Sequence, residues 1–291
     1  MPDLTHLRRY PELEGKTFLL GIGAMKCATS WVFQHVAQMP EVAATPLKEL
    51  HFFNAKFPPK GHPPFTARMT ALVQTYLAEA PDPVGEVATN SHLQAAIDGL
   101  QMLYDDNAFF GHFARMAQAQ TRVFTEITPQ YALLDAQAFG YVRAFFQTQG
   151  LDLKVLLVLR DPVARLWSHL RSLTQEDPTI DILRDWQTLV RQRAVIERSD
   201  YMRTIRTLDQ GFDPDQLIIL FSEDLVDGRS LPALSRALGL PDLPPDATRQ
   251  NQTQDTTALP DAVRGQLRHL LAPQYTFCQD RLGALPAAWN L

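Results

Sequence analysis

Lys26 stands in a stretch whose residue types suit the binding of an anion. An apolar run over residues 18–22, interrupted by glycine, predicts a short buried strand. The lysine follows in a loop of small residues, and the hydroxyls of Thr29 and Ser30 open a periodic stretch that predicts a helix ending near residue 39. Backbone N–H groups at a helix start attract an anion, and a lysine adds a full charge. An anion-binding loop is therefore predicted; an ordinary strand–turn–helix with an incidental lysine is the alternative.

The loop differs from that of the nucleoside triphosphatases. That loop requires Gly-Lys-[Ser/Thr], whereas here Met25 precedes Lys26 and Cys27 follows it. No apolar strand ends in an acidic residue that would hold a magnesium ion. We therefore expect a phosphate-like ligand handled without a metal, and we interpret Cys27 as a small buried thiol and not as a nucleophile.

A second candidate anion site lies where another apolar run ends. Arg160 leaves that run, Asp161-Pro162 predicts the cap and first residue of a helix, and Arg165 and Ser168 are three residues apart on it. A guanidinium group together with a hydroxyl suits a phosphate. A simple helix cap is the alternative interpretation of this junction.

Composition narrows the class of protein. The chain has 291 residues, 45% hydrophobic and 20% charged, and we expect a single domain over residues 1–291. We expect no membrane span, since no apolar run is long enough, and no secretory signal. Two cysteines provide no disulfide framework, which favours a cytoplasmic location. The net charge of −5 argues against a nucleic acid as partner; the oligomeric state stays open.

Strand and helix patterns alternate along the chain, which predicts an α/β fold: one three-layer domain with a mostly parallel central sheet. Ligands of such sheets bind beyond the carboxyl ends of the strands. The loop at 23–30, the turn at 126–128 and Arg160 should therefore converge. Strands are predicted at 18–22, 122–128, 154–160 and 217–221, and helices at 67–80, 92–119, 132–148, from 162 to about 210, and at 229–238, 260–271 and 274–282.

Four motifs, in order, resemble those of the sulfotransferases that use 3′-phosphoadenosine-5′-phosphosulfate (PAPS). Lys26-Cys-Ala-Thr-Ser-Trp31 resembles the 5′-phosphosulfate loop, which is P-loop-like, and Leu159-Arg-Asp-Pro-Val-Ala-Arg-Leu-Trp-Ser168 resembles the 3′-phosphate motif. Lys48-Glu-Leu-His-Phe-Phe53 and Glu126-Ile-Thr-Pro-Gln-Tyr131 are similar to motifs of the branch that includes the glycan and heparan sulfate enzymes.

The resemblance implies roles for individual residues. PAPS would be the donor and 3′,5′-adenosine diphosphate (PAP) the product, with no metal required. Glu49 would be the general base and Lys26 would stabilise the leaving phosphate, with Lys48 beside the sulfonate. His51 and, more weakly, His92 are the rival bases. The residues expected to bind the donor are Lys26, Cys27, Ala28, Thr29, Ser30, Trp31, Arg160 and Ser168, with packing in the core as the equal alternative for Trp31.

Departures from the family pattern bear on the acceptor. Ala28 replaces a loop glycine, which is tolerable if its φ is negative. Ile127 replaces a lysine that lies near the acceptor in the glycan enzymes, which argues against a polyanionic glycan. We expect a small or lipid-like alcohol or a neutral sugar, in a pocket shaped by a variable insertion at about 54–120. Arg249 and Asn251 are candidates to close over the donor.

Two other functions stay open at this point. One is a P-loop kinase acting on a small metabolite, against which the missing Gly-Lys-[Ser/Thr] counts. The other is a degenerate nucleotide-binding scaffold, against which the presence of both Lys26 and Glu49 counts.

Overall fold

A parallel β-sheet forms the centre of the protein. The computed structural model describes residues 3–60, 66–243 and 256–290. Within these ranges five strands pair in the order β2-β3-β1-β4-β5, and every pair is parallel. The strands are β1 (Thr17–Gly23), β2 (Val42–Ala44), β3 (Val123–Ile127), β4 (Asp152–Leu159) and β5 (Leu217–Phe221).

Helices cover both faces of the sheet and complete three layers. Short 3₁₀ helices lie at Pro129–Leu133, Glu197–Ser199, Pro214–Gln216 and Ala287–Asn290. The α-helices are α1 (Thr29–Ala37), α2 (Phe52–Lys56), α3 (Thr66–Glu79), α4 (Pro83–Thr89), α5 (Ser91–Gln101), α6 (Asn107–Met116), α7 (Ala136–Gln147), α8 (Pro162–Glu176), α9 (Ile182–Leu189), α10 (Arg193–Ile196), α11 (Tyr201–Gly211), α12 (Ser222–Val226), α13 (Leu231–Leu238) and α14 (Asp261–Leu282). None of the helices in the described ranges combines the length and apolar character that crossing a membrane requires.

The two glycines of β1 allow the strand ends to approach closely. A Cβ atom on Gly21 would lie 2.6 Å from Cγ1 of Ile127 on the neighbouring strand β3. Gly23 has φ of 152° and lies against Ala132 and the carbonyl oxygen of Pro129. These contacts hold the start of the Lys26 loop against the segment that follows β3.

The predicted strands are all confirmed, whereas several helices differ from the prediction. Residues 92–119 contain two helices, α5 and α6, and the pattern did not predict α2, α4 or the three-residue strand β2. The helices predicted at 260–271 and 274–282 are one helix, α14, with Pro273 inside it. Packing of α14 against α8 and α11 holds this helix together across the proline.

Candidate active site

Lys26 and Arg160 meet at the carboxyl ends of β1 and β4. Arg160 Nη1 donates a hydrogen bond to the carbonyl oxygen of Lys26 at 3.3 Å. Tyr201 fixes the strand end, since its hydroxyl donates to the carbonyl oxygen of Arg160 at 2.9 Å. The predicted convergence of the Lys26 loop and Arg160 is confirmed by this contact.

The helix that follows Arg160 begins as its sequence predicts. Asp161 caps α8 by accepting a hydrogen bond from the N–H of Ala164 at 2.7 Å. The hydroxyl of Tyr275 on α14 donates to the other oxygen of Asp161 at 2.5 Å. Ser168 lies buried in the second turn of α8. The position of Ser168 relative to Arg160 is therefore set by Asp161, which accepts hydrogen bonds from both α8 and α14.

Two arginines, Arg160 and Arg171, lie near the amine of Lys26. Burial lowers its pKa, and the charges of Arg171 and Arg160 lower it further, while Glu176 opposes the effect. Arg171 lies one turn beyond Ser168 on the same face of α8. Sequence reasoning missed Arg171; its spacing from Ser168 is the signal that could have found it. A chain with a net charge of −5 thus concentrates positive charge at this crevice.

The condition under which alanine is readily tolerated at position 28, a negative φ, is not met. Ala28 has φ of 60° and ψ of 21°, the left-handed conformation, immediately before α1. Among the described residues, the non-glycine positions with positive φ are Lys26, Ala28 and His51. All three lie in the predicted motifs, and unfavourable backbone conformations of this kind cluster at functional sites.

The other loop residues are positioned by the start of α1. Thr29 is its first residue and is buried, and Ser30 beside it is half-buried.

Cys27 has no exposed surface, and burial raises the pKa of its thiol to about 11, so the thiol is inert as expected. Its N–H donates to the carbonyl oxygen of Ala24 at 3.2 Å. Trp31 is 5% exposed and belongs to the hydrophobic core, which favours packing over adenine binding.

Glu49, Lys48 and His51 form a cluster, and Arg68 from α3 joins them. Lys48 Nζ lies 3.2 Å from Glu49 Oε1, and His51 Nε2 lies 3.2 Å from Glu49 Oε2. Burial raises the pKa of Glu49, but the hydrogen bond to His51 and the charge of Lys48 outweigh it and bring the pKa to about 2. Arg68 Nη1 lies 3.0 Å from His51 Nε2 and 3.9 Å from Glu49 Oε2. No motif pointed to Arg68, because α3 lies in the stretch at about 54–120, where the sequence resembles no family motif.

Hydrogen bonds fix which nitrogen of His51 carries a proton. Nδ1 lies 3.1 Å from Oδ1 of Asn54, whose amide nitrogen donates to the carbonyl oxygen of Gln130 at 3.3 Å. The Asn54 oxygen is therefore the acceptor, and Nδ1 is its donor. Nε2, which faces Glu49, then carries no proton in the neutral ring, so its hydrogen bond to Glu49 forms when the ring is protonated.

Glu126 and Thr128 bind the backbone that follows Glu49. The N–H of Leu50 donates to Glu126 Oε1 at 3.2 Å, and the N–H of His51 donates to Thr128 Oγ1 at 3.3 Å. The Thr128 hydroxyl in turn donates to Glu126 Oε1. Because β3 pairs directly with β1, these bonds place the Glu49 segment at the same edge of the sheet as the Lys26 loop.

Arg198 lies near both the Lys26 loop and the segment that follows β3. Its Nη2 donates to Oε1 of Gln130 at 2.7 Å. Together with Ala24, Met25 and Pro129 it lines a small pocket. Burial lowers its pKa to about 10, and the neighbouring charge of Arg165 acts in the same direction. It is a further cation that no motif predicted.

Neither His92 nor Ile127 contributes a side chain to the crevice. His92 is exposed in the first turn of α5, where its N–H donates to the Asn90 side chain. Ile127 is buried against Gly21 in the core, so this position carries no information about the charge of an acceptor. Arg249 and Asn251 lie outside the described residues. Within the described ranges, no group of three His, Cys, Asp or Glu side chains is arranged to hold a metal ion.

Comparison with known proteins agrees with this architecture. No protein-family model matches the chain, and no curated protein matches it either. Solved sulfotransferases do match in structure. One from Alicyclobacillus acidocaldarius has a TM-score of 0.63 and 17% identity, covering 95% of this chain and all of that one.

Two sulfotransferase domains match over a similar extent. The domain from the curacin biosynthetic pathway has a TM-score of 0.53 and 15% identity, covering 92% of this chain and 99% of the domain. The domain from the Synechococcus PCC 7002 olefin synthase has a TM-score of 0.52 and 16% identity, covering 98% of both chains. The chain therefore has the sulfotransferase fold over at least 92% of its length.

Proposed function

We propose that this protein transfers a sulfuryl group from PAPS to a hydroxyl or amine of an acceptor. The observation that supports this most strongly is the meeting of Lys26 and Arg160 in a crevice rich in cations, beside the strand end that holds the Glu49 segment. The shared fold of the sulfotransferases agrees with it.

The charges of the crevice suit a polyanionic nucleotide. Lys26, Arg160 and Arg171 lie close enough to lower the pKa of the lysine amine, and such an arrangement is favourable once an anion lies among them. Arg165 lies near Arg160 and has two buried nitrogen atoms, Nε and Nη1, without a hydrogen-bond partner in the described residues. A nucleotide with phosphates at both its 3′ and 5′ positions would supply the missing negative charge.

Each binding residue has a role that its position allows. Arg160 and Ser168 would hold the 3′-phosphate, and the start of α1 with Thr29 and Ser30 would hold the 5′ side. The amine of Lys26 would meet the charge that develops on the leaving phosphate. The donor, when bound, supplies the activated sulfuryl group, and the remaining catalysis is positioning and electrostatics.

Glu49 and His51 would act together on the acceptor proton. Glu49 is the more accessible of the two, with 23% of its side chain exposed against 3% for His51. A carboxylate with a pKa of about 2 is ionised at neutral pH but is a weak base by itself. When the His51 ring is neutral, a proton taken by Glu49 can pass to Nε2, which lies 3.2 Å from Glu49 Oε2. The two rival bases thus become partners.

The acceptor is proposed at the level of its class. A small-molecule, lipid-like or sugar hydroxyl would approach Glu49 from the side of the insertion, where α3 contributes Arg68. The likeness of the Lys48–Phe53 motif to the glycan branch supports a sugar, whereas Ile127, being buried, supports neither choice.

Calorimetry separates this proposal from a kinase. We expect PAP to bind at least about tenfold more tightly than adenosine 5′-monophosphate, because Arg160 and Ser168 would hold the additional phosphate. Addition of magnesium should not change PAP binding. Tighter binding of ATP with magnesium than of PAP would contradict the proposal and favour phosphoryl transfer.

A further inference from the structure

Arg165 is a buried cation in the middle of the 3′-phosphate motif. It lies in the first turns of α8 and has no exposed surface. One of its amino groups donates to the hydroxyl of Ser199, while Nε and Nη1 have no hydrogen-bond partner in the described part of the chain. Arginine is almost never fully buried unless an anion accompanies it.

The surroundings of Arg165 supply no negative charge. The groups of opposite sign near it are the Tyr201 hydroxyl and the Cys27 thiol. Burial raises the pKa of Tyr201 well above its usual value and that of Cys27 to about 11, so both are neutral at neutral pH. Arg160 and Arg198, the charged neighbours, carry the same sign as Arg165. Of the described carboxylates, none forms an ion pair with Arg165.

Arg165 lies within electrostatic range of the residues that form the crevice. The side chain of Arg160 contacts the Lys26 loop, and the charge of Arg165 acts on both Arg160 and Cys27. Interactions between charges are weakly screened in the protein interior, so a buried cation acts on an anion that it does not touch. An arginine at the surface would lose this effect to water and salt.

We propose that Arg165 is a positioning residue whose unpaired charge holds the anionic nucleotide from the protein interior, the bound nucleotide being its counter-ion. This inference rests on the proposed function for the identity of the nucleotide. It has a second consequence: in the unliganded protein the buried charge opposes folding, because a buried charge without a partner is unfavourable. Arg165 therefore lowers the stability of the unliganded protein and raises its affinity for the nucleotide.

The test compares Arg165→Met and Arg165→Gln, which remove the charge, with Arg165→Lys, which keeps it. PAP binding is measured by calorimetry, and the unfolding midpoint is measured without ligand. We expect both neutral variants to bind PAP about tenfold more weakly or worse, with a midpoint equal to or above that of the wild type. Arg165→Lys should bind within about threefold of the wild type. Arg184→Met on α9, which removes an exposed charge, is the matched control and should change neither value.

Each other outcome contradicts a defined part of the account. PAP affinity of the neutral variants within about twofold of the wild type overturns the proposal and makes Arg165 purely structural. Loss of folding in both neutral variants also overturns it, because the charge would then be stabilising. Absence of PAP binding to the wild type contradicts the proposed function instead, and the unfolding midpoints still test whether the charge opposes folding.

Discussion

Glu126 couples the stability of the fold to pH. It is fully buried at the end of β3, and burial raises its pKa to about 7, although hydrogen bonds from Thr128 and the N–H of Leu50 oppose the rise. The nearby charge of Glu49 contributes to the rise. The folded protein therefore keeps a proton that the unfolded chain has already lost.

The size and direction of the effect follow from the two pKa values. In the unfolded chain the carboxyl group titrates near its usual 4.5. The contribution to stability is fully present below about pH 4.5 and is lost as the pH rises through about 7. At about 1.4 kcal/mol for each pH unit between these values, the loss is about 3 kcal/mol, as an order of magnitude.

Glu126→Gln tests this directly, because it removes the titration and keeps an oxygen that can accept from the Leu50 N–H. Urea unfolding at about pH 5 and about pH 8.5 gives the free energy of unfolding on both sides of the transition. Between these two values the wild type should lose about 3 kcal/mol more than the variant. Glu49, with its pKa of about 2, stays ionised throughout and does not contribute.

The control is Glu12→Gln, which removes an exposed carboxylate. Its pH dependence should follow that of the wild type. Parallel pH profiles for the wild type and Glu126→Gln would refute the reasoning, since they would mean that the buried carboxyl group titrates alike in the folded and unfolded states.

Two further predictions concern the Lys26 loop. Ala28→Gly should raise the free energy of unfolding by about 0.5 kcal/mol, because relief of the left-handed conformation at Ala28 exceeds the entropy that glycine adds to the unfolded chain; a loss of stability in urea unfolding would contradict this. Cys27 should resist iodoacetamide in the folded protein and react only after unfolding, because it is buried and its pKa is raised to about 11. Mass spectrometry shows the difference, and rapid alkylation of the native protein would contradict it.

The sequence predicted the elements whose pattern is local. β4 is a continuous apolar run because both of its faces are buried, and Asp161 caps α8 through its own side chain. β2, with three residues, is too short to give a pattern. The continuity of α14 across Pro273 depends on packing against α8 and α11, which no local signal records.

The candidate site likewise combines residues that a local pattern predicts with residues that only the tertiary structure brings together. Lys26 and Arg160 were singled out because each lies in a motif at the end of an apolar run, and Glu49 because residues 48–53 resemble a family motif. Arg68 and Arg198 come from segments without a motif, and only the tertiary structure brings them to the crevice. The positive φ of Ala28 was missed because alanine itself gives no indication of a left-handed backbone.

Transfer of labelled sulfate from PAPS tests the central claim most directly. The wild type and Glu49→Gln are incubated with ³⁵S-labelled donor and a panel of alcohols, lipids and sugars, after calorimetry has shown that both bind PAP. The account predicts labelled product with the wild type and none above background with Glu49→Gln. Full activity of Glu49→Gln would contradict the role of the base, and absence of transfer by the wild type to every acceptor class in the panel would contradict the proposed function.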